Sequence, residues 1–286
     1  MFPESMQFHV APLIDGFVRW LFVSWGAFFD IISDSILAML LQVQNCILAV
    51  PWWVWILLVG IIRWYQTRRL LSTLSLPILL FLIGVFNLWL AAMETLAIII
   101  TAVVLALAMG IPLGIAMAQW DRINMLITPL LDAMQTIPTL VYLIPAMMLF
   151  GLGKVPATFA TLIYAVPPVV RLTNLGIRQV AESVQEAARA FGATRWQMMR
   201  EVLLPLAMPA IMAGVNQTTM MALSMVVIAS MIGAKGVGEH ILLAANRIAV
   251  GKGFEGGFVI VAMAIIIDRI TQGMAKHWEP KQRTDT

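Results

Sequence analysis

Long apolar stretches alternate with short basic segments along this chain of 286 residues. A helix that crosses a membrane needs about 20 consecutive and largely apolar residues. Stretches that meet or approach this length predict membrane-spanning helices near residues 48–63, 70–90, 93–118, 127–150, 156–177, 207–231 and 256–275. The hydrophobic pattern therefore predicts an all-α integral membrane protein with about seven transmembrane helices.

The segment that precedes these spans has a different pattern. Asp15, Arg19, Asp30 and Asp34 fall within one arc of a helix, because each residue turns a helix by about 100°. Large apolar side chains occupy the other faces. This pattern favours an amphipathic helix that lies in the membrane interface over residues 11–46, and the alternative is a poorly inserted first span.

The composition agrees with a membrane protein. Hydrophobic residues make up 61% of the chain and charged residues only 12%, and the mean hydropathy is +0.90. Average soluble domains are about 45–50% apolar and about 25% charged. A soluble fold of this composition could not cover its surface with polar groups, so lipid must form part of its solvent.

The net charge of +3 comes mainly from arginines and lysines in loops on one side of the predicted spans. Cytoplasmic loops of membrane proteins carry an excess of these residues. The basic loops are those near 63–69, 122, 178–200 and 276–283, which predicts an N-terminus outside and a cytoplasmic C-terminus. Because membrane topology explains the charge, we expect no nucleic-acid partner.

The sequence lacks the common motifs for catalysis and for metal or nucleotide binding. Cys46 is the single cysteine, which excludes an intrachain disulfide and a cysteine-based metal site. No G-x-x-x-x-G-K-[ST], H-E-x-x-H or G-x-S-x-G motif occurs, and the three histidines do not cluster in sequence. We therefore predict no catalytic residue, no metal site and no cofactor in this chain, and an intramembrane enzyme is a poor alternative.

The loop at 179–206 is too polar to span a membrane and is strongly patterned. Ser183 and Glu186 form an S-x-x-E capping box, which predicts a helix that begins there. Gly192 stands where that helix should end in the left-handed conformation. A second box at Thr194 predicts another helix that continues into the next span. The loop therefore predicts a helix–turn–helix at the membrane surface.

The spacing of residues in this loop resembles the EAA loop of binding-protein-dependent ABC importers. The matching positions are Glu186, Ala187, Ala188, Gly192, Val202, Leu204 and Pro205. Val202, where the family has isoleucine, is the only departure. The resemblance implies that these residues, together with the apolar Trp196, form coupling helices that dock on an ATPase subunit.

Longer strings narrow the resemblance. Residues 111–118, 132–145 and 204–233 are similar to permease subunits of glycine betaine, proline betaine and choline importers. This resemblance covers about residues 90–275 and implies the type I permease fold of ABC importers. The domain organisation that we predict is an amphipathic interfacial segment at 1–47, two peripheral transmembrane helices at 48–90, a core permease domain at 91–277 and a cytoplasmic tail at 278–286.

The resemblance also implies a function and partners. The chain is expected to be the permease subunit of an ATP-driven importer of quaternary ammonium compatible solutes, such as choline or glycine betaine, in the bacterial inner membrane. Its expected partners are a second copy of itself, two ATPase subunits that bind ATP and magnesium, and an extracytoplasmic substrate-binding protein. An ABC permease for another small polar solute, or an ATP-independent secondary transporter, is the alternative.

Polar residues inside the apolar spans are the candidates for a translocation path. They are Gln135, Thr136, Tyr142, Asn216, Gln217, Thr218, Ser224 and Ser230. For any single one, the alternative role is a hydrogen bond between helices, worth about 0.6 kcal/mol. An aromatic cage for a quaternary ammonium ion cannot be assembled from the sequence, so we expect the separate binding protein to select the solute.

Overall fold

The computed structural model describes residues 11–275, so predictions on the flanking segments, including the tail at 278–286, lie outside the described residues. Every regular element in the described range is helical. The helices are α1 (Ala11–Ala49), α2 (Trp52–Thr67), α3 (Leu70–Val85), α4 (Trp89–Gln119), α5 (Asp121–Thr136), a 3-10 turn (Thr139–Tyr142), α6 (Leu143–Phe150), α7 (Lys154–Arg178), α8 (Glu182–Ala190), α9 (Arg195–Gln197), a π-helical turn (Met198–Leu203), α10 (Leu204–Ala229), a 3-10 turn (Ser230–Ile232), α11 (Val237–Asn246) and α12 (Val250–Ala275).

Five helices within the described range are long and apolar enough to cross a membrane. They are α1, α4, α7, the helix from α9 through α10, and α12. The span predicted at 127–150 is instead broken, since α5 and α6 meet at an angle of 110°. Helices α2 and α3 have 16 residues each, or about 24 Å of length, which is shorter than a usual span. The all-α membrane fold is confirmed.

Helix α1 forms one continuous helix of 39 residues and packs through its second half. Ile36, Leu40 and Ile47 are buried there. The ring of Phe29 contacts that of Phe150 at the end of α6, with 6.1 Å between centroids. Helix α1 therefore contacts the broken span at the end from which the chain leads into α7. The prediction that α1 lies in the membrane interface stays a prediction.

The centre of the molecule is a tight packing of α7 against α4 on one side and α10 on the other. Glycines allow the backbones to approach. A Cβ atom added to Gly114 of α4 would lie 2.6 Å from the Cβ of Thr173 and 2.7 Å from the carbonyl oxygen of Val170. A Cβ added to Gly176 of α7 would lie 2.6 Å from the Cβ of Ala210 in α10. Small residues at such contacts are typical of membrane helix interfaces.

Candidate coupling and translocation sites

The first helix of the patterned loop ends as the sequence predicts but begins differently. Gly192 has a φ of +80°, which confirms the left-handed position. Its N–H donates to the carbonyl of Arg189 at 2.9 Å, and the next residue, Ala193, donates to the carbonyl of Ala188 at 3.1 Å. These two hydrogen bonds form a Schellman cap. The geometry fixes the turn between the two loop helices.

The capping box predicted at Ser183 is wrong. Helix α8 begins at Glu182, its N-cap is Ala181, and no side chain caps it. The side-chain amide of Gln185, within α8, donates to the carbonyl of Val180 in the preceding turn at 3.0 Å. This bond holds the helix start to the chain that leaves α7.

The second capping box is confirmed. The backbone N–H of Gln197 donates to the hydroxyl of Thr194 at 3.3 Å, and the backbone N–H of Thr194 donates to the Gln197 side chain at 2.9 Å. The helix continues through the π-helical turn into α10 without a loop. Pro205 has no N–H to donate to the carbonyl of Glu201, which interrupts the α-helical hydrogen-bond pattern. The π-helical turn lies at this interruption.

The loop has one buried face and one exposed face. Met198 and Met199 are buried, and Met199 packs with Ile177 of α7 and Ala207 of α10. On the other face, Phe191 is 94% exposed and Trp196 is 70% exposed. Large exposed apolar side chains on a polar surface indicate an interaction site. The loop is therefore anchored to the core helices and presents two aromatic rings outward.

Some residues of the predicted coupling site lie on the exposed face of the loop, and others lie on its buried face. Glu186 and Ala187 are exposed on α8 and Ala188 is half-buried. Leu204 packs in the same cluster as Met199, and Pro205 is exposed at the start of α10. The exposed members of the predicted coupling site are therefore accessible from outside the chain, as are Phe191 and Trp196.

The break between α5 and α6 brings three of the predicted path residues close together. Gln135 and Thr136 are exposed at the end of α5. Pro138 has no N–H, which frees the carbonyl of Met134, and the hydroxyl of Tyr142 donates to that carbonyl. Tyr142 is buried, so it holds the break together from inside while the two polar residues before it face outward.

Five path candidates lie on α10 or in the 3-10 turn that follows it, and they differ in exposure. Gln217 and Ser224 are exposed. Asn216 donates to the carboxylate of Asp268 in α12 at 3.0 Å. Thr218 and Ser230 are buried, and Ser230 donates to the carbonyl of α10 residue Val227 at 2.7 Å. The structure places Gln135, Thr136, Gln217 and Ser224 at the surface of the single chain, buries Tyr142, Thr218 and Ser230, and leaves Asn216 half-buried.

The structure has a seam of polar contacts between α5 and α7 that the sequence did not predict. Its contacts are an ion pair of Arg171 with Asp132, a hydrogen bond of 2.8 Å from Asn174 to Asn124, and an ion pair of 2.7 Å between Arg178 and Asp121. The α7 residues recur at intervals of three and four, and the α5 residues also share one face. Two facing polar stripes were the signal that could have revealed the contact.

A second polar cluster joins α1, α4 and α7. The Lys154 ammonium lies 3.0 Å from the carboxylate of Glu94 and donates to the side-chain oxygen of Gln44 at 2.9 Å. Both members of the ion pair are largely buried, at 19% and 18% exposure. This cluster fixes the end of α7 to α1, at the opposite end of α7 from the loop.

The fold, with its broken span and its anchored, outward-facing loop, defines a multi-pass transport permease. A model of the family described as the binding-protein-dependent transport system inner membrane component matches residues 110–284, and the chain belongs to this family. It is therefore the inner-membrane component of a binding-protein-dependent ABC transport system, which includes an ATPase, and it is a transport subunit, not an enzyme.

Curated relatives confirm the resemblance to the betaine branch. The glycine betaine transport system permease protein OpuAB of Bacillus subtilis is 39% identical over 265 residues, which cover 93% of this chain and 94% of the relative. The glycine betaine/carnitine permease GbuB of Listeria monocytogenes is 43% identical over 270 residues, with the same coverage of both chains. The glycine betaine/proline betaine permease ProW of Escherichia coli is 48% identical over 233 residues, which cover 82% of this chain and 66% of the relative.

A solved structure shares the fold. An inward-facing form of the MetNI methionine ABC transporter matches with a TM-score of 0.59 and 21% identity. The match covers 65% of this chain and 94% of that chain. The predicted ABC permease fold is thereby confirmed.

Proposed function

We propose that this chain carries quaternary ammonium compatible solutes, such as choline, glycine betaine or related betaines, inward across the bacterial membrane at the expense of ATP. The relatives with 94% coverage are named for glycine betaine and carnitine transport. A choline transport permease, OpuBB of Bacillus subtilis, is 33% identical over 177 residues. Accumulation of such solutes protects cells against osmotic stress, so osmoprotection is the proposed role.

The observation that carries a translocation role is the broken helix with exposed polar residues. Irregular backbone within a membrane is tolerated where it lines a cavity or is buried in protein. The 3-10 turn after the break packs against α7 and α10, and Gln217 lies at the midpoint of α10 on its exposed face. Gln135 and Thr136 at the break, with Gln217 and Ser224 on α10, are the residues that we propose to line the path.

We propose that a second copy of the chain covers this surface. Leu206, Ala213, Gln217 and Ser224 form one exposed stripe along α10, at intervals of seven, four and seven residues. Polar side chains in the middle of a lipid-facing helix are unfavourable, whereas a partner helix and a water-filled path can satisfy them. A homodimer around one path accounts for a stripe that is part polar and part apolar.

The loop with Phe191 and Trp196 is the proposed ATPase contact, so a homodimer binds two ATPase subunits. These subunits hold ATP and magnesium, and this chain holds no cofactor. An extracytoplasmic binding protein delivers the solute to the opposite face. Closure of the ATPases moves the loops, and the packed helices then alternate between inward- and outward-open states.

The proposed orientation places the C-terminus in the cytoplasm and the N-terminus outside. Phe29 and Gln44 are fifteen residues apart, which is about 22 Å along a helix. Phe29 contacts Phe150 at the end of α6, and Gln44 accepts a hydrogen bond from Lys154 at the start of α7. Both contacts of α1 therefore lie where the chain passes from α6 to α7. This supports a helix α1 that lies across the outer ends of the spans.

The direct test is reconstitution of the chain with its ATPase and binding protein in liposomes. We expect uptake of radiolabelled choline or glycine betaine that depends on ATP and on the binding protein. Uptake by the chain alone without ATP would favour a secondary transporter. Uptake of a different small polar solute, with none of any quaternary ammonium compound, would favour the other alternative.

Cross-linking tests the dimer. We expect Ser224→Cys, in a Cys46→Ser background that removes the exposed native thiol, to form disulfide-linked dimers in membranes after mild oxidation. The control Ile78→Cys places a thiol on the exposed face of peripheral α3 and should stay monomeric. Equal cross-linking at both positions would indicate random collision and would count against the α10 interface.

A further inference from the structure

Three arginines line a polar pocket between the α2–α3 turn and α12. Arg63, Arg69 and Arg269 share a cavity of about 390 Å³ with Gln66, Thr67, Gln272 and Gly273. Within residues 11–275, none of the three arginines forms an ion pair. A concentration of uncompensated guanidinium groups favours an anionic ligand, because arginine binds phosphate with several hydrogen bonds at once.

The contact between α2 and α12 builds this pocket. The Gln66 side chain donates to the carbonyl of Ile270 at 3.1 Å, and a Cβ atom added to Gly273 would lie within 2.4 Å of the Gln66 amide. Among the described residues, the Nε of Arg63 is buried without a hydrogen-bond acceptor. The acid in the adjacent turn, Asp268, already accepts hydrogen bonds from Gln272 at 2.7 Å and from α10 at 3.0 Å.

An apolar cavity of about 550 Å³ lies beside the polar pocket, between the α2–α3 hairpin and the core helices. Trp55 and Val59 line the cavity, and Arg63 and Thr67 line the pocket. These four residues recur every fourth position and therefore share one face of α2. The volume falls within the range of about 300–1,000 Å³ typical of ligand pockets. One side of α2 thus changes from apolar to polar and cationic over about three turns.

We propose that one anionic phospholipid binds here, with its phosphate among the three arginines and an acyl chain in the apolar cavity. Trp64 and Tyr65 are exposed beside the pocket, and such aromatic residues are enriched at the headgroup level of membranes. Basic pockets between helices are a known form of headgroup recognition. A zwitterionic lipid fits less well, because its cationic group would add to the positive charge. The bound lipid would join the hairpin to the core.

The test uses the purified chain in its transport complex, delipidated in detergent and incubated with phosphatidylglycerol or phosphatidylcholine. Native mass spectrometry should detect one retained phosphatidylglycerol per chain and little phosphatidylcholine. The Arg63→Gln/Arg269→Gln variant should lower retention about tenfold or more. Arg68→Gln is the matched control, since Arg68 lies in the same turn outside the pocket, and it should retain lipid as the wild type does. Equal retention of both lipids by the wild type would overturn the proposal.

A second variant separates a lipid from a free anion. Val104→Trp fills the apolar cavity from an exposed position on α4 and leaves every arginine in place. It should lose phosphatidylglycerol, while inorganic phosphate should neither displace the lipid nor raise the thermal stability of the wild type. Stabilisation by phosphate alone would point to a plain anion site. Failure of the wild-type complex to retain any lipid would show that the pocket is not a lipid site. Either result would refute the proposal, and neither bears on solute transport.

Discussion

Replacing Gly192 with Asp should lower solute uptake about tenfold or more, with a normal amount of protein in the membrane. Gly192 is the left-handed residue between the two loop helices, and apart from its two chain neighbours no atom lies within 4 Å of the position that a Cβ would occupy. The substitution therefore adds strain and a negative charge between the exposed rings of Phe191 and Trp196, where the ATPase is proposed to dock. A tenfold effect requires only about 1.4 kcal/mol. Uptake of labelled solute, normalised to membrane protein by immunoblot, measures it.

Two control variants separate charge from backbone strain. Gly192→Asn has nearly the same size, tolerates the left-handed conformation and carries no charge, so it should retain more uptake than Gly192→Asp. Ala193→Asp moves the same charge by one residue to a position that needs no positive φ. Full uptake and full co-purification of the ATPase with Gly192→Asp would refute the docking role of this turn.

Replacing Gly114 with Leu should remove most of the folded protein. The Cβ alone would lie 2.6 Å from the Cβ of Thr173 and 2.7 Å from a backbone oxygen of α7, and the backbone cannot rotate away as a side chain can. Overpacking of this kind costs about 3 kcal/mol or more. We expect a large fall in the monodisperse yield after detergent extraction, read by fluorescence-detected size-exclusion chromatography.

The matched control is Gly84→Leu in peripheral α3. Apart from the adjacent backbone of α3, no atom lies within 4 Å of the position that a Cβ would occupy there, and the helix propensity of leucine exceeds that of glycine. This variant should give at least the wild-type yield. If Gly114→Leu gave the same yield and melting temperature as Gly84→Leu, α4 and α7 would have to be further apart than the structure has them.

Two of the three local features of the loop were predicted correctly from the sequence. The left-handed Gly192 and the capping box of Thr194 follow from residues within a few positions of each other, and both are confirmed. The start of α8 was predicted wrongly, because the S-x-x-E spacing at Ser183 fits a capping box but the helix begins at Glu182, with Ala181 as its N-cap. A capping motif shows that a side chain could cap a helix, but it does not show which residue begins that helix.

Features that depend on distant contacts were predicted less well. Hydropathy indicated one span over 127–150, but the structure has a 110° break, where the carbonyl of Met134 lacks a partner at Pro138 and accepts from the hydroxyl of Tyr142. Arg171 lies inside a span and was not singled out, since its partner Asp132 belongs to another helix. Hydrophobic length describes each helix separately, whereas the polar seam arises only when two helices pack together.

The π-helical turn at Met198–Leu203 determines how the docking loop is angled relative to the middle of the membrane. A π-helical turn contains one residue more than the α-helical turn that it replaces, and each α-helical residue rotates the chain by about 100°. Without that additional residue, Trp196 would point in a different direction relative to Gln217 on α10. The π-helical turn thus sets the angle between the loop face that carries Trp196 and the α10 face that carries Gln217. Deleting one residue in this turn would rotate one face relative to the other, while every side chain of both faces stays in the protein.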